Sequence, residues 1–208
     1  MRSNPFFIVG IGRSGTSLLR LMFHSHPRIA VPYESQFISK YYDNLDKYGN
    51  LKEDGEFDRL IKDILNEQYI KMWDHPFDFE KIISNVDDRS LRGAFSAIYQ
   101  DYAKSKGKVR WGDKSDYLDR MHIINKIFPD AQFIHIIRDG RDVASSVLKL
   151  PWGPKDIISV AEWWNQYIWL ARRVGSVLGE DRYIEVHFEN LVNNPESELK
   201  RLCSFLDE

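Results

Sequence analysis

The stretch Phe6-Phe7-Ile8-Val9-Gly10-Ile11-Gly12-Arg13-Ser14-Gly15-Thr16-Ser17 decides how the remaining chain is read. Four apolar, β-favouring residues stop at a glycine-rich turn, after which Leu18, Leu21 and Met22 recur at helical spacing up to His26-Pro27. The order is strand, phosphate-sized loop, helix. Gly10 and Gly15 stand at the GxxxxG spacing of a P-loop, but Thr16 and Ser17 follow where that motif has Lys and then Ser or Thr. In a nucleoside-triphosphate enzyme that lysine reaches the β- and γ-phosphates, so its absence argues against ordinary ATP or GTP hydrolysis. The cation has moved inward, to Arg13. Loop N–H groups, the positive end of the helix and the hydroxyls of Ser14, Thr16 and Ser17 would still enclose an oxyanion. A plain turn with a helix cap is the alternative reading.

Outward from this loop, residues 37–106 carry charges and aromatics in helical rhythm with no convincing strand, and read as a helical insertion. Residues 109–111 read as a short strand, residues 117–128 as a helix stopped by Pro129, and Gln132-Phe133-Ile134-His135-Ile136-Ile137 as a strand apolar on both faces. Residues 139–150 continue as a helix ended by Pro151. Ile157, Ala161, Trp164, Ile168 and Ala171 form one stripe of a long helix, followed by a strand at 182–187 and a helix at 195–206. Strands alternating with helices predict an α/β fold, a single three-layer domain over residues 1–208 with a central parallel sheet flanked by helices. Ligands of such sheets sit beyond the carboxyl ends of the strands.

Composition narrows the function classes. The 208 residues carry 29 Lys plus Arg against 31 Asp plus Glu, a net charge of −2, so a nucleic-acid binder recognised by overall basicity is excluded and any cationic site is local. With 43% apolar residues the chain buries a substantial core. The single cysteine, Cys203, cannot form an internal disulfide and suits a reducing compartment. No run approaches the ~20 apolar residues that span a bilayer, and Arg13 and Arg20 interrupt the first apolar stretch, so neither a membrane span nor a secretion leader is expected.

A second polar cluster, Arg138-Asp139-Gly140-Arg141-Asp142-Val143-Ala144-Ser145-Ser146, follows the predicted strand ending at Ile137. Arginine presents a planar fork of donors to phosphate, and a serine two turns into the helix adds a hydroxyl. Alternatively, Asp139 and Asp142 neutralise Arg138 and Arg141 at a helix start. Two anion sites of this kind describe a nucleotide with separate phosphates at its two ribose ends.

Residues 10–17, residues 138–146 and Val186-His187-Phe188-Glu189-Asn190-Leu191-Val192, in this order and spacing, resemble the sulfotransferase family that uses 3′-phosphoadenosine 5′-phosphosulfate, closest to its bacterial and tyrosylprotein-type branch. The resemblance implies that Arg13, Ser14, Gly15, Thr16 and Ser17 bind the 5′-phosphosulfate, and that Arg138 and Ser146 bind the 3′-phosphate. It implies a catalytic glutamate at Glu34, beyond His26-Pro27, and a catalytic lysine at Lys114. Arg13 and Lys114 would offset charge on the bridging oxygen and the sulfonate without a metal, while Glu34 takes the acceptor's proton, best served if partial burial raises its pKa. The blander readings are a solvated Glu34, or one paired with Arg20 or Arg28, and a Lys114 paired with Asp113 or Asp116.

His135, among isoleucines in mid-strand, reads as a hydrogen-bonded core residue, His187 as a weaker candidate for lining the site, and Trp163-Trp164 as core packing. The expected activity is a cytoplasmic sulfotransferase with a small-molecule or carbohydrate acceptor. A metal-dependent P-loop kinase or hydrolase, and a non-catalytic nucleotide-binding module, are the alternatives.

Overall fold

Strands β1 (Phe6–Val9), β2 (Ile29–Ala30), β3 (Arg110–Lys114), β4 (Gln132–Ile137) and β5 (Tyr183–His187) form one sheet in the order β2-β3-β1-β4-β5 in the computed structural model, which describes residues 4–208. Every pairing is parallel. Parallel neighbours require crossover connections, and helices supply them. Helix α1 (Thr16–Ser25) joins β1 to β2, and α2 (Phe37–Asp43), α3 (Asp54–Leu65), α4 (Gln68–Lys71), α5 (Phe79–Ser84) and α6 (Leu91–Ser105) lie between β2 and β3. Helix α7 (Met121–Ile127) precedes β4, α8 (Gly140–Val147) and α9 (Ile157–Leu178) precede β5, and α10 (Phe188–Asn193) and α11 (Pro195–Phe205) follow it.

The alternation of strand side chains divides the core into two layers. On one face Phe7, Val9 and Phe133 pack with Phe37, Phe95 and Tyr99 of the segment between β2 and β3; on the other, Phe6, Ile8, Ile134 and Ile136 pack against Leu19 and Phe23 of α1 and Leu202 of α11. Both faces being covered explains why β1 and β4 are buried along their whole length. Each fully buried Phe or Ile contributes roughly 1.5–3 kcal/mol from apolar burial.

The registers Ile8↔Lys114, Val9↔His135 and Ile137↔His187 bring the carboxyl ends of β3, β1, β4 and β5 to one edge. The chain leaves β1 toward β2 and β3, whereas β4 lies on the opposite side of β1, which makes the β1–β4 crevice the switch point of the sheet. The loop at 10–15 and the residues after Ile137 meet there.

His135 is fully buried, its Nδ1 2.6 Å from the Tyr183 hydroxyl, and burial lowers its pKa. The segment expected as a helix from residue 117 opens instead with a 3-10 turn, Leu118–Arg120, directly after Tyr117, whose hydroxyl lies 3.0 Å from Ser35 Oγ. The helix expected over 139–150 ends at Val147, three residues before Leu150, whose N–H bonds back to the Val147 carbonyl in a turn. Strand β3 runs to Lys114, beyond the expected end at residue 111. Among the described residues no helix is long and apolar enough to cross a membrane.

Candidate active site

The loop after β1 is shaped by two left-handed residues, Arg13 at φ 74° and Gly15 at φ 94°. Ser14 N–H closes the turn onto the Ile11 carbonyl at 3.1 Å. Only glycine suits position 15, since a Cβ there would lie 2.3 Å from the Phe188 ring in addition to the φ strain. Helix α1 then starts with no side-chain cap and no acidic residue in its first turn, so its N–H groups and the positive end of its dipole are uncompensated. Alternating backbone signs in such a turn form a concave, anion-binding nest.

Arg13 reaches across to the second cluster, its Nε donating to Ser146 Oγ at 2.8 Å. In return Arg138 Nη1 donates to the Arg13 carbonyl at 3.1 Å, and the guanidinium lies 4.7 Å over the Phe188 ring. The two anion-seeking stretches are therefore one continuous surface. Trp164, whose position follows the apolar stripe of α9, also donates from Nε1 to the Arg138 carbonyl at 3.0 Å and so fixes the corner.

The two arginines of this corner differ. Arg141 is committed to Asp139 by side-chain contacts of 2.5 to 3.2 Å, and that guanidinium holds the Asp139 carboxyl down to about 2. Asp139 also caps α8 through the Arg141 N–H. The capping alternative thus describes Arg141 and Asp139 correctly. Arg138 is only 3.7 Å from Asp142, and its Nε is buried with no hydrogen-bond partner. Ser14 is likewise fully buried with an unpartnered hydroxyl, placed under the loop and not among the residues facing the cavity.

That cavity, about 240 Å³, is lined on the loop side by Gly10, Gly12, Arg13, Thr16 and Ser17 and on the β3 side by Glu34, Gln36, Lys114, Ser115 and Asp116, with Trp152 across its mouth. Lys114 Nζ forms an ion pair with Glu34 Oε1, the side chains being 8% and 26% exposed. Gln36 Nε2 donates to the other Glu34 oxygen at 3.2 Å. Glu34 is thus a partly buried carboxylate paired with Lys114, not a solvated one. Arg20 is turned to the Val31 carbonyl and Arg28 to Glu208, so neither is the partner. Lys114 chooses Glu34 over its chain neighbours Asp113 and Asp116. Burial, and then repulsion from Asp119 and Glu34, raise the pKa of Asp116. His187 is exposed and lies outside the cavity lining. Among the described residues no group of three or more His, Cys, Asp or Glu is arranged to hold a metal.

Comparison with known proteins is decisive about kinship. The model of the sulfotransferase family matches residues 5–208. The chain belongs to the sulfotransferase family. It is 24% identical to protein-tyrosine sulfotransferase A of Caenorhabditis elegans, over 99% of this chain and 50% of that protein. The chain spans about half the length of the curated relatives it matches, or less. Its fold matches the sulfotransferase domain of the Synechococcus PCC 7002 olefin synthase with a TM-score of 0.64, at 23% identity over 99% of this chain and 74% of that one. A mouse sulfotransferase, SULT7A1, solved in complex with PAP, matches with a TM-score of 0.52 at 12% identity, over 100% of this chain and 59% of that chain.

Sequence reading missed Gln36 and Trp152 and named Asp116 only as a possible partner of Lys114; this sulfotransferase-family cavity gathers the three from separate segments. Gly12 carried the only local sign of Trp152: a Cβ there would stand 3.1 Å from the indole. Phe188, inside a quoted stretch but given no role, is the residue that both Gly15 and Arg138 pack against.

Proposed function

We propose that this chain transfers a sulfuryl group from 3′-phosphoadenosine 5′-phosphosulfate to an acceptor hydroxyl or amine. The observation that carries the reading is the meeting of the two anion-seeking loops, joined by Arg13–Ser146 and Arg138–Arg13 contacts while the buried Arg138 Nε lacks a partner. A buried donor left without an acceptor costs ~1–3 kcal/mol, so a corner that retains one on a cationic side chain is fitted to an anion. The 5′-phosphosulfate would lie in the nest of Arg13, Ser14, Gly15, Thr16 and Ser17. The 3′-phosphate would lie on Arg138 and Ser146, replacing the bond that Ser146 makes to Arg13. Family membership and the PAP complex of the mouse neighbour support the same donor.

In the transfer, the bond from sulfur to the phosphate-bridging oxygen breaks as a bond from sulfur to the acceptor heteroatom forms, in line. The acceptor's proton passes to Glu34. Charge developing on the leaving oxygen is offset by Arg13 and Lys114. Because Lys114 is paired with Glu34, donor binding has a second effect in this scheme: the sulfonate draws the ammonium toward itself and frees the carboxylate for the acceptor. The donor thereby prepares the base.

The acceptor we propose is a small molecule or carbohydrate admitted from the side of residues 37–106. Tyr69 of α4 stacks with Tyr33 at 6.5 Å, and Trp73 Nε1 reaches the Glu34 carbonyl at 3.5 Å, which sets that segment beside the candidate base. A cytoplasmic setting fits the single cysteine. The test is transfer of label from the sulfur-labelled donor to a panel of phenols, alcohols, amines and sugars. Label in an acceptor, lost in Glu34→Ala, is expected; turnover of Mg·ATP with no use of the labelled donor would overturn the reading in favour of a P-loop kinase or hydrolase.

A further inference from the structure

Glu34 and Lys114 face the cavity, whereas Ser35 and Asp113 beside them do not line it. Both are buried, as are Ser115, which does reach the cavity wall, and Tyr117, which closes the group. Ser35 Oγ lies 3.1 Å from Asp113 Oδ2, 3.1 Å from Ser115 Oγ and 3.0 Å from the Tyr117 hydroxyl. Backbone groups join from one side only: Ser35 N–H donates to Ser115 Oγ at 2.9 Å, Gln36 N–H to the same oxygen at 3.3 Å, and Ile38 N–H to the Tyr117 oxygen at 3.0 Å.

One arrangement of protons satisfies these contacts, with the Tyr99 hydroxyl also set against Asp113. An ionised Asp113 has no proton to give, so Ser35 donates to it. Ser115 and Tyr117 already accept backbone N–H groups, and their own protons go to the two lone pairs of Ser35. Each hydroxyl is then oriented, and the orientation starts from the carboxylate. The segment 35–38 is held to 113–117 wholly by side chains, because β3 pairs with β1 and β2 and not with this segment.

We propose that Asp113 and Ser35 are positioning residues, forming a buried clasp that sets Glu34 and Lys114 at contact distance across the cavity. The inference rests on the sulfuryl-transfer reading and deepens it. Neither residue touches the donor or the acceptor; each acts through its chain neighbour. Loss of the Ser35 hydroxyl removes the junction of the network and loosens the setting of Glu34 against Lys114, and a displacement of ~1 Å at a reacting group is enough to cost on the order of 100-fold in rate. Burying a carboxylate is unfavourable on its own, and burial pushes Asp113 up to about 6, so the fold keeps a group that an apolar residue would replace at less cost.

The test uses Ser35→Ala, Ser35→Thr and Asp113→Asn in the full chain, with steady-state kinetics, adenosine 3′,5′-bisphosphate affinity and thermal unfolding measured on each. Ser35→Ala is expected to lower kcat ~10- to 100-fold while KM for the donor and bisphosphate affinity stay within ~2-fold, and Ser35→Thr, which restores the hydroxyl, to recover most of the rate. Asp113→Asn keeps an acceptor oxygen and is expected to fall between them. A Ser35→Ala protein that folds and keeps the parent kcat overturns the clasp alone. Rate and bisphosphate affinity falling together in both Ser35→Ala and Asp113→Asn would overturn it in favour of a merely structural staple. A parent protein that binds no bisphosphate and transfers no label overturns the sulfuryl-transfer reading and the clasp with it.

Discussion

At the β1–β4 crevice, the polar groups come from two contiguous stretches, 10–17, which lines the cavity, and 138–146, which adjoins it through Arg13, both placed by backbone geometry: left-handed Arg13 and Gly15, and the capped start of α8. On the β3 side, Glu34 and Lys114 come from positions 80 residues apart and are held by buried side chains, Ser35, Asp113, Ser115 and Tyr117. The first half is a property of local chain shape. The second exists only after β3 has paired with β1. In the proposed reading, binding and catalysis rest on different kinds of structure, and substitutions should separate them.

The largest expected effect divides the halves most sharply. Glu34→Ala should lower turnover by about 10²- to 10⁴-fold while leaving bisphosphate affinity within ~2-fold, as kinetics and calorimetry on one preparation would read. Next, Arg138→Ala should weaken the bisphosphate roughly 10- to 100-fold, the cost of a charged hydrogen-bonding group at ~1.5–3 kcal/mol, whereas Arg141→Ala, whose side chain is spent on Asp139, should change it by less than ~2-fold. Equal losses in the two variants would break the distinction drawn between them.

A third expectation concerns stability. Asp113 is fully buried and titrates near 6 in the folded protein against 3.8 in the unfolded chain. A raised folded pKa favours the fold fully below the unfolded value, and that contribution is lost as pH rises through about 6; the shift corresponds to ~3 kcal/mol. His135 acts in the opposite sense, since burial lowers its pKa and its contribution is lost as pH falls below the unfolded 6.5. Urea unfolding of the parent and Asp113→Asn at pH 4.5 and 7 isolates the first effect: the variant should gain stability relative to the parent at the higher pH. The smallest effect is that of Ser146→Ala, a single hydroxyl, with a loss of a few-fold in bisphosphate affinity.

The same contrast explains what could be read from the chain. The run Gln132–Ile137 carries apolar residues on both faces, and both its extent and its burial on two faces agree with the structure. The stretch at 10–17 carries its spacing on the surface of the sequence, and kinship with the sulfotransferase family bears out the resemblance drawn from it. Strand β3 was legible only to residue 111, because Gly112-Asp113-Lys114 has no strand-like composition; those polar residues are buried by tertiary pairing with β1 and by the Ser35 network. Gln36 and Trp152 could not be placed at the cavity from the sequence, being single residues in loops whose positions depend on other segments, and Asp116 was named only as a possible partner of Lys114. Strand β2, two residues long, and α10 fell below the length at which periodicity speaks.

The most direct test of the central claim is isothermal titration of the ligand-free protein with adenosine 3′,5′-bisphosphate, beside adenosine 5′-monophosphate lacking the second phosphate. One site per chain is expected, at least 10-fold tighter for the bisphosphate, with that preference lost in Arg138→Ala. Equal affinity for the two nucleotides, or a preference that survives the loss of Arg138, would contradict a site that grips both phosphates at once.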